Sequence, residues 1–294
     1  MTKAEKNICV RKPEWLRRPL PKGPVYGKVQ GLLRHADLHT VCEEARCPNQ
    51  FECFGRGTAT FLILGTLCTR NCKFCNISGG KALPPDPEEP RRVAEAASRM
   101  GLSYAVVTSV TRDDLEDGGA SHFAETICEI RKKLPHCGIE VLIPDFGGNP
   151  HSLERVLAAG PDVLNHNMET VPRLYSEVRP EAVYARSLAL IARVSGHPSG
   201  IPAKSGLMLG LGENDEEILD TLQDLRDSGC RILTLGQYLQ PSENHWPVQR
   251  FVSPEQFNFF EKKARMMGFE SIASGPFVRS SYRAAKPSLS GINA

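Results

Sequence analysis

Three cysteines stand in a CxxxCxxC spacing, Cys68, Cys72 and Cys75, directly after the apolar run 59–65. Three thiols on one short loop can bind a single iron–sulfur cluster, because thiolates are the usual ligands of such clusters. Clusters with four cysteine ligands commonly carry electrons, whereas three ligands leave one iron open to a small molecule. The spacing therefore predicts a cluster that takes part in chemistry, and a structural zinc site or three unused thiols are the less favoured alternatives.

A second set of three cysteines lies upstream, Cys42, Cys47 and Cys53, in a CxxxxCxxxxxC spacing. A redox disulfide or a zinc knuckle could use one of the two sets but would not account for both. The two triplets together predict two metal centres. The remaining four cysteines follow no metal-binding spacing and are interpreted as ordinary free thiols: Cys9, Cys128, Cys137 and Cys230.

The composition restricts the class of protein. With 294 residues and 40% hydrophobic content, the chain can bury one large core, and one barrel-sized domain is as compatible as two small ones. A net charge of +2 argues against a nucleic-acid binder that works by neutralising phosphates. No apolar run reaches membrane-spanning length, and ten cysteines without a secretory signal favour a reducing compartment. We therefore expect a soluble, cytoplasmic protein.

The N-terminal segment is basic, with seven Lys and Arg residues against two acidic residues in 1–22. We interpret it as a solvated arm, and the alternative is a basic contact for an acidic protein partner. The Pro-rich stretch Pro13–Gly31 predicts an irregular arm anchored by Trp15 and Tyr26. Such an arm is stable only on a domain, so we expect it to pack over the mouth of the following core.

After Gly57 the pattern alternates between short apolar runs and helical stretches, which predicts a parallel sheet of six strand–helix units. The predicted strands are Phe61–Leu64, Tyr104–Thr108, Ile139–Ile143, Asp162–Asn165, Ser205–Leu209 and Ile232–Leu235. The predicted helices are Pro90–Met100, Ala120–Leu134, Ser152–Ala159, Val183–Val194, Glu216–Ser228 and Pro254–Met267. The corresponding division is an N-terminal arm with the upstream triplet (1–57), an α/β core (58–268) and a C-terminal extension (269–294).

Six such units can close partly into a barrel or form a flat, doubly wound sheet, and the pattern alone does not decide between them. Polar residues follow strand after strand at the carboxyl ends, where parallel α/β folds bind ligands. For a single loop residue, polarity by itself is an equally good explanation. For the set as a whole, the pattern favours a ligand pocket at this edge.

The CxxxCxxC loop, with the aromatic Phe74 before its third cysteine, resembles the signature of the radical S-adenosylmethionine (SAM) enzymes. The CxxxxCxxxxxC spacing is similar to that of the lipoyl synthase family within them. Four further stretches carry the same resemblance, which covers about 12–284: 40–49, 108–115, 165–171 and 279–282. The resemblance implies an α/β fold of the radical SAM type, a partial (βα)6 parallel barrel with N- and C-terminal extensions.

The resemblance also implies a reaction. The cluster of Cys68, Cys72 and Cys75 would cleave SAM reductively, and the radical would take hydrogen from C6 and C8 of a protein-bound octanoyl-lysine. A second [4Fe-4S] cluster, sacrificed in the reaction, would supply two sulfur atoms and give lipoyl-lysine. The implied partners are an octanoylated lipoyl carrier domain, from a 2-oxoacid dehydrogenase or the glycine cleavage system, and a ferredoxin or flavodoxin as electron donor.

Site residues follow from the same resemblance. The second cluster would be held by Cys42, Cys47, Cys53 and a serine of the 279–282 motif, for which Ser281 is favoured over Ser280. The stretch 206–213 is similar to the family's GxIxGxxE segment beside the adenine of SAM. Six more residues are implied as SAM contacts, the first two against adenine and the others at the methionyl and ribose groups: Phe74, Asn76, Thr108, Asn165, Glu169 and Lys204.

Two other functions are compatible with these motifs. One is a different radical SAM enzyme with an auxiliary cluster, such as a methylthiotransferase or a peptide-modifying enzyme, although the 42–53 spacing argues against it. The other is a non-catalytic iron–sulfur scaffold or electron carrier. A carrier would release no 5′-deoxyadenosine from SAM, so this measurement separates the two classes.

Overall fold

The computed structural model describes residues 12–17, 24–282 and 284, and in this part of the chain the strands define the architecture. Ten strands form: β1 His39–Thr40, β2 Thr60–Ile63, β3 Leu67–Cys68, β4 Ser78–Gly79, β5 Tyr104–Ser109, β6 Gly138–Leu142, β7 Val163–Asn165, β8 Ala203–Leu209, β9 Ile232–Gln237 and β10 Ser271–Gly275. Eight of them make one sheet in the order β1-β2-β5-β6-β7-β8-β9-β10. The strands β3 and β4 pair separately, beside the cysteine loop.

The main sheet is parallel except at one edge, where the short β1 runs antiparallel to β2. The predicted parallel α/β fold of six strands is therefore confirmed. The structure adds a seventh parallel strand, because Ser271–Gly275 pairs with Ile232–Gly236 in β9. The sequence of β10 is Ser-Ile-Ala-Ser-Gly, and its small and polar residues carry no strand periodicity.

Ten α-helices form in the described residues: α1 Pro24–His35, α2 Val41–Glu44, α3 Gln50–Gly55, α4 Glu89–Arg99, α5 Ala120–Lys133, α6 Pro150–Ala158, α7 Tyr175–Val178, α8 Tyr184–Ser195, α9 Asp215–Asp227 and α10 Pro254–Met266. Single 3-10 turns lie at Glu14–Leu16, Phe146–Gly148 and Pro172–Leu174. The six predicted helices are all present, with ends shifted by a few residues. Capping boxes start α9 at Asn214 and α10 at Ser253, where each side-chain oxygen accepts a backbone N–H three residues later.

The prediction of an irregular arm over 13–31 is wrong, because α1 covers its second half. Val29 and Leu33 are four residues apart and both buried, so they form the apolar face of this helix. Tyr26 anchors it as predicted, since its ring lies 5.5 Å from that of Phe54. Trp15 is not an anchor, because its side chain is 43% exposed. The rest of the basic segment, 1–11 and 18–23, lies outside the described residues.

The core lies between the sheet and the outer helices. All four residues of β2 and all six of β9 are buried, as expected for central parallel strands. The helices α4, α5 and α6 pack against one another on the outside. None of the helices in the described part of the chain combines the length and apolar character needed to cross a membrane.

Candidate active site

A cavity of about 790 Å³ runs along the inner face of the sheet. The whole upstream triplet lines it, together with Cys75 of the CxxxCxxC loop and both candidate serines of the C-terminal motif: Cys42, Cys47, Cys53, Cys75, Ser280 and Ser281. The upstream triplet and one thiol of the CxxxCxxC loop, which are separated in sequence, therefore line one cavity.

The turn that starts the cysteine loop has an unusual conformation and is held from both sides. Leu64, directly after β2, has φ +69°, a region that leucine rarely adopts, and Gly65 follows with φ +88°. The buried carboxylate of Glu89 accepts the Leu64 N–H at 2.8 Å, and the buried guanidinium of Arg112 donates to its carbonyl at 3.2 Å. His122 Nε2 lies 2.6 Å from the same Glu89 carboxylate. Side chains from α4 and the β5–α5 loop thus determine where the cysteine loop begins.

A second anchor joins the middle of the cysteine loop to the neighbouring strand ends. The Arg70 guanidinium donates to Asp113 at 2.7 and 2.8 Å and to the buried Asp145 at 2.6 Å. Asp113 follows β5 and Asp145 follows β6, so the guanidinium bridges two consecutive strand ends. These bonds hold the cysteine loop against the carboxyl ends of β5 and β6.

The thiols of this loop lie close to one another and to backbone donors. The sulfur of Cys68 accepts N–H bonds from Arg70 and Thr111, both at 3.4 Å. Burial raises the pKa of Cys75 to about 12, and the nearby Cys72 and Cys68 thiols contribute to the rise. Burial likewise raises the pKa of Cys72. Ionisation of these thiols thus needs a nearby positive charge, which iron ligation would supply.

The upstream triplet lies at the other end of β2. Cys42 contacts Thr60, the first residue of the strand, and the Cys53 carbonyl accepts the N–H of Thr58 at 2.9 Å. Cys47 N–H donates to the Cys42 carbonyl at 3.0 Å. Burial raises the pKa of Cys42 to about 12, with the adjacent Cys47 and Cys53 thiols adding to the shift.

The two triplets lie near opposite ends of β2. The upstream triplet is at the amino end of the strand, and the CxxxCxxC loop leaves its carboxyl end. At about 3.3 Å per residue, the four steps from Thr60 to Leu64 span roughly 13 Å. A molecule in the cavity can therefore approach one triplet with one part and the other triplet with another.

Hydrogen bonds between described residues tie the C-terminal extension to the upstream triplet segment. Asn49 Nδ2 donates to the Phe277 carbonyl at 2.6 Å. The Tyr282 hydroxyl donates to the carboxylate of Glu52, with distances of 2.9 and 3.0 Å to its two oxygens. These contacts bring the C-terminal motif to the cavity wall, and they do not discriminate between its two serines.

The donors in both triplets fit iron–sulfur clusters. Among the described residues, no three Cys, His, Asp or Glu side chains converge on a single metal ion. A four-iron cluster has a different requirement, because each thiolate binds its own iron and the thiols remain apart. In each triplet the thiols lie near one another, since the other two thiols contribute to the raised pKa of Cys42 in one and of Cys75 in the other. The sulfur of Cys68 also accepts two backbone N–H bonds, which suits a ligand of such a cluster.

Three of the six implied SAM contacts line the cavity: Phe74, Asn76 and Glu169. The other three are buried and engaged in other contacts. Lys204 Nζ donates to Glu140 at 2.7 and 2.9 Å, and Asn165 Nδ2 lies 3.4 Å from the same carboxylate. The hydroxyl of Thr108 donates to the Leu142 carbonyl at 2.9 Å. The structure thus places these three residues behind the cavity wall.

The stretch 206–213 forms part of the wall and its support. The carboxylate of Glu213 accepts the N–H groups of Gly210 and Leu211 at 2.6 and 2.9 Å, which fixes the turn after β8. A Cβ at Gly206 would collide with Thr234 and approach the amide oxygen of Asn167. Gly206 therefore keeps this part of the cavity open.

Sequence reasoning missed one charged residue beside the cysteine loop. Burial raises the pKa of the Cys72 thiol, and the charge and hydrogen bond of Arg179 oppose this rise. The Arg179 guanidinium also donates to the carbonyls of Asn167 and Met168 at 3.0 and 2.9 Å and lies near Glu169. Arg179 follows the helix α7 and no strand of the sheet. A search for polar residues at the carboxyl ends of strands therefore could not identify Arg179.

Comparisons with known proteins agree with this geometry. A family model described as the Radical SAM superfamily matches residues 62–225, and one described as the N-terminal domain of lipoyl synthase matches 1–47. The chain is 58% identical over 277 residues to a lipoyl synthase of Desulfotalea psychrophila, covering 94% of this chain and 93% of that one. It is 57% identical over 278 residues to a lipoyl synthase of Thiobacillus denitrificans, covering 93% and 88%.

Solved structures support the fold. The crystal structure of methylornithine synthase matches with a TM-score of 0.52 at 16% identity, over 84% of this chain and 74% of that chain. At this identity the match reports on the architecture only. The family models, the curated relatives and the cavity shared by the upstream triplet and Cys75 lead to one conclusion: the chain belongs to the lipoyl synthase family of radical SAM enzymes.

Proposed function

We propose that the chain inserts sulfur at C6 and C8 of an octanoyl group on a carrier-protein lysine, giving lipoyl-lysine. The observation that carries this proposal is the single cavity lined by the upstream triplet and by Cys75. Insertion at unactivated carbons needs hydrogen abstraction and a sulfur source at the same substrate. A cavity between the two triplets would hold the acyl chain within reach of both.

The residues of the CxxxCxxC loop would hold a [4Fe-4S] cluster with one iron open to SAM. When bound and reduced, this pair supplies a 5′-deoxyadenosyl radical able to abstract hydrogen from a methylene group. The loop's anchors through Arg70, Glu89 and Arg112 would keep its cysteines in place for the cluster. Glu169 and Arg179, beside Cys72, would offer a carboxylate and a guanidinium to the charged groups of SAM.

The second cluster is a substrate in this proposal, because two of its sulfides end in the product. Cys42, Cys47 and Cys53 would bind three of its irons, and Ser281 would bind the fourth. A serine oxygen is a harder ligand than thiolate and suits iron less well, so it is the ligand that leaves most easily. That property suits a cluster that must be taken apart.

The cavity wall between the triplets suits an acyl chain. Phe74 and Tyr238 at one end and Val106 and Leu142 further along are apolar or aromatic. Such a wall excludes water from a reactive carbon radical and binds methylene groups at about 0.8 kcal/mol for each one buried. The chain's own contribution is thus to position the acyl group and protect it.

The partners follow from the chemistry. An octanoylated lipoyl carrier domain, of a 2-oxoacid dehydrogenase or the glycine cleavage system, would present the acyl-lysine. A ferredoxin or flavodoxin would deliver the electrons. Six thiols that must remain reduced for iron suit a reducing compartment, and we propose the cytoplasm.

Iron analysis of anaerobically reconstituted protein tests the assignment of the clusters. The wild type should hold about eight irons, and Cys68→Ala should keep about four while losing SAM cleavage. Cys128→Ala is the matched control, because Cys128 is exposed on α5 and outside the cavity. SAM cleavage by Cys68→Ala at the wild-type rate would contradict the proposal.

A second experiment tests the source of the sulfur with a variant of the upstream triplet. Cys42→Ala should still release 5′-deoxyadenosine from SAM, because its cysteine loop is intact, but should give no lipoyl product. Mass spectrometry of an octanoyl-lysine peptide measures the two added sulfurs. A lipoyl product from Cys42→Ala would show that the sulfur comes from another source.

A further inference from the structure

The exposed part of the cavity wall lies mostly at the amino ends of the strands. Six described lining residues are exposed: Lys12, Arg46, Arg56, Thr58, Gly101 and Ser103. Arg56 and Thr58 directly precede β2, and Gly101 and Ser103 directly precede β5. Arg46 adjoins Cys47 of the upstream triplet. The cavity therefore opens to solvent beside the upstream triplet.

The carboxyl end of the cavity is covered by the segment that follows β9. The backbone N–H of Trp246 donates to the Lys73 carbonyl at 2.8 Å, and His245 Nε2 lies 3.1 Å from the Cys75 carbonyl. The Tyr238 hydroxyl donates to the Trp246 carbonyl at 2.7 Å, and the Trp246 indole donates to Leu211. These bonds hold the covering segment against the cysteine loop. None of the described lining residues at this end is exposed.

The opening is basic. Three of its six exposed residues carry positive charge, and the described acidic residue on the cavity wall, Glu169, is not among the exposed ones. Arg56 is paired with Glu52 at 3.0 Å. Lys12 and Arg46 are both exposed on the cavity wall, and no salt bridge found among the described residues includes either of them.

We propose that the octanoyl-lysine enters at this amino edge and that an acidic face of its carrier domain docks on the basic rim of Lys12, Arg46 and Arg56. This inference rests on the proposed function. The carbons to be modified are near the far end of the acyl chain. A chain that enters beside the upstream triplet carries that end towards Cys75, where the radical forms, and passes the sulfur source on the way.

Because the rim is positively charged, we expect the docking face of the carrier domain to be negatively charged. Charges at the edge of an interface act mainly on encounter and register, and their effect falls as salt screens them. An uncharged octanoyl-lysine peptide has no such face and gains nothing from the rim. A comparison of the kinetics with the carrier domain and with the peptide therefore distinguishes an effect on docking from an effect on the reaction.

Single-turnover kinetics of the reconstituted enzyme test the docking surface, because the second cluster is consumed in the reaction. KM here is the substrate concentration that gives half of the maximal single-turnover rate. The double variant Lys12→Glu/Arg46→Glu should raise KM for an acidic carrier domain about tenfold at low salt, and the effect should shrink in high salt. Its KM for the short octanoyl peptide should change much less. The matched control is Lys262→Glu, which reverses an exposed charge on α10.

An unchanged KM for the carrier in the double variant would overturn the docking surface, even though the wild type makes lipoyl product. Failure of the wild type to modify either substrate would instead overturn the proposed function. A second copy of this chain on the rim would appear as a dimer that the double variant dissociates in sedimentation, and that result would also overturn the inference.

A variant at the opening tests the route of the acyl chain independently of charge. Ser103→Trp should narrow the opening and raise KM at least about fivefold for both carrier and peptide, because both must insert the same chain. Iron content and the spectroscopic signature of the SAM-bound cluster should stay as in wild type. Ser103→Ala is the control, because it changes the same residue but keeps a side chain about as small as serine. Wild-type KM values for both substrates in Ser103→Trp would show that the chain enters elsewhere.

Discussion

Asp145 shows how single residues stabilise the cysteine loop. Its carboxylate is buried and receives Arg70 from the loop at 2.6 Å and Arg186 from α8 at 3.1 Å. Burial alone would raise the pKa of Asp145, but the hydrogen bonds and charge of Arg70 outweigh it and lower the pKa from 3.8 to about 2. The folded state therefore prefers the ionised carboxylate.

Asp145→Asn should lower the free energy of unfolding at pH 7 by about 2 kcal/mol or more. Since the folded pKa is below the unfolded one, the contribution of Asp145 is complete above about pH 4 and is lost as the pH falls towards 2. Urea unfolding at pH 7 and pH 3 measures both effects. The difference between variant and wild type should be smaller at pH 3, and an equal difference at both pH values would contradict this account.

At the scale of elements, the turn between β2 and the cysteine loop depends on a polar network that no local pattern contains. Glu89 begins α4, Arg112 follows β5 and His122 belongs to α5, and all three are buried. The bonds of Glu89 and Arg112 to the backbone of Leu64 offset the cost of its left-handed conformation, which is roughly 1–3 kcal/mol, and His122 holds Glu89. The turn is thus a product of three elements that meet behind it.

Glu89→Ala should reduce the iron held by the cysteine loop, because the Leu64 N–H and His122 lose their partner and the turn relaxes. We expect the iron content to fall from about eight towards about four per chain, with SAM cleavage falling in parallel. Glu88→Ala is the control, since Glu88 is adjacent but exposed and pairs only with Arg91 among the described residues. Full iron content in Glu89→Ala would show that the turn does not need this clamp.

At the scale of the whole molecule, the segment 49–52 meets the segment 277–282 beside the cavity. The edge strands β1 and β10 form no ladder with each other in the described sheet. The upstream triplet segment and the C-terminal extension lie together on the cavity wall, joined by the Asn49–Phe277 and Tyr282–Glu52 contacts. The proposed sulfur-donor site therefore combines residues more than 200 positions apart.

Tyr282→Phe removes the hydroxyl that joins the extension to Glu52. The second cluster should then lose iron faster in a chelator, while SAM cleavage by the cysteine loop stays close to wild type. Tyr184→Phe is the control, because it also removes a hydroxyl bound to a carboxylate, that of Asp224 at 2.7 Å, but outside the cavity. Equal iron loss in the two variants would argue against a role of Tyr282 in holding the second site.

The cysteine spacings and the alternation of apolar strands with helices determined the fold class and the six thiols from sequence alone, because both are encoded by residues near one another in the chain. Only the tertiary structure decided which distant residues meet. It formed α1 and β10 through packing and strand pairing, buried Lys204 against Glu140, and placed Arg179 beside Cys72. It also put the triplets at opposite ends of β2. These features depend on contacts between elements, and such contacts leave no periodic signal in the sequence.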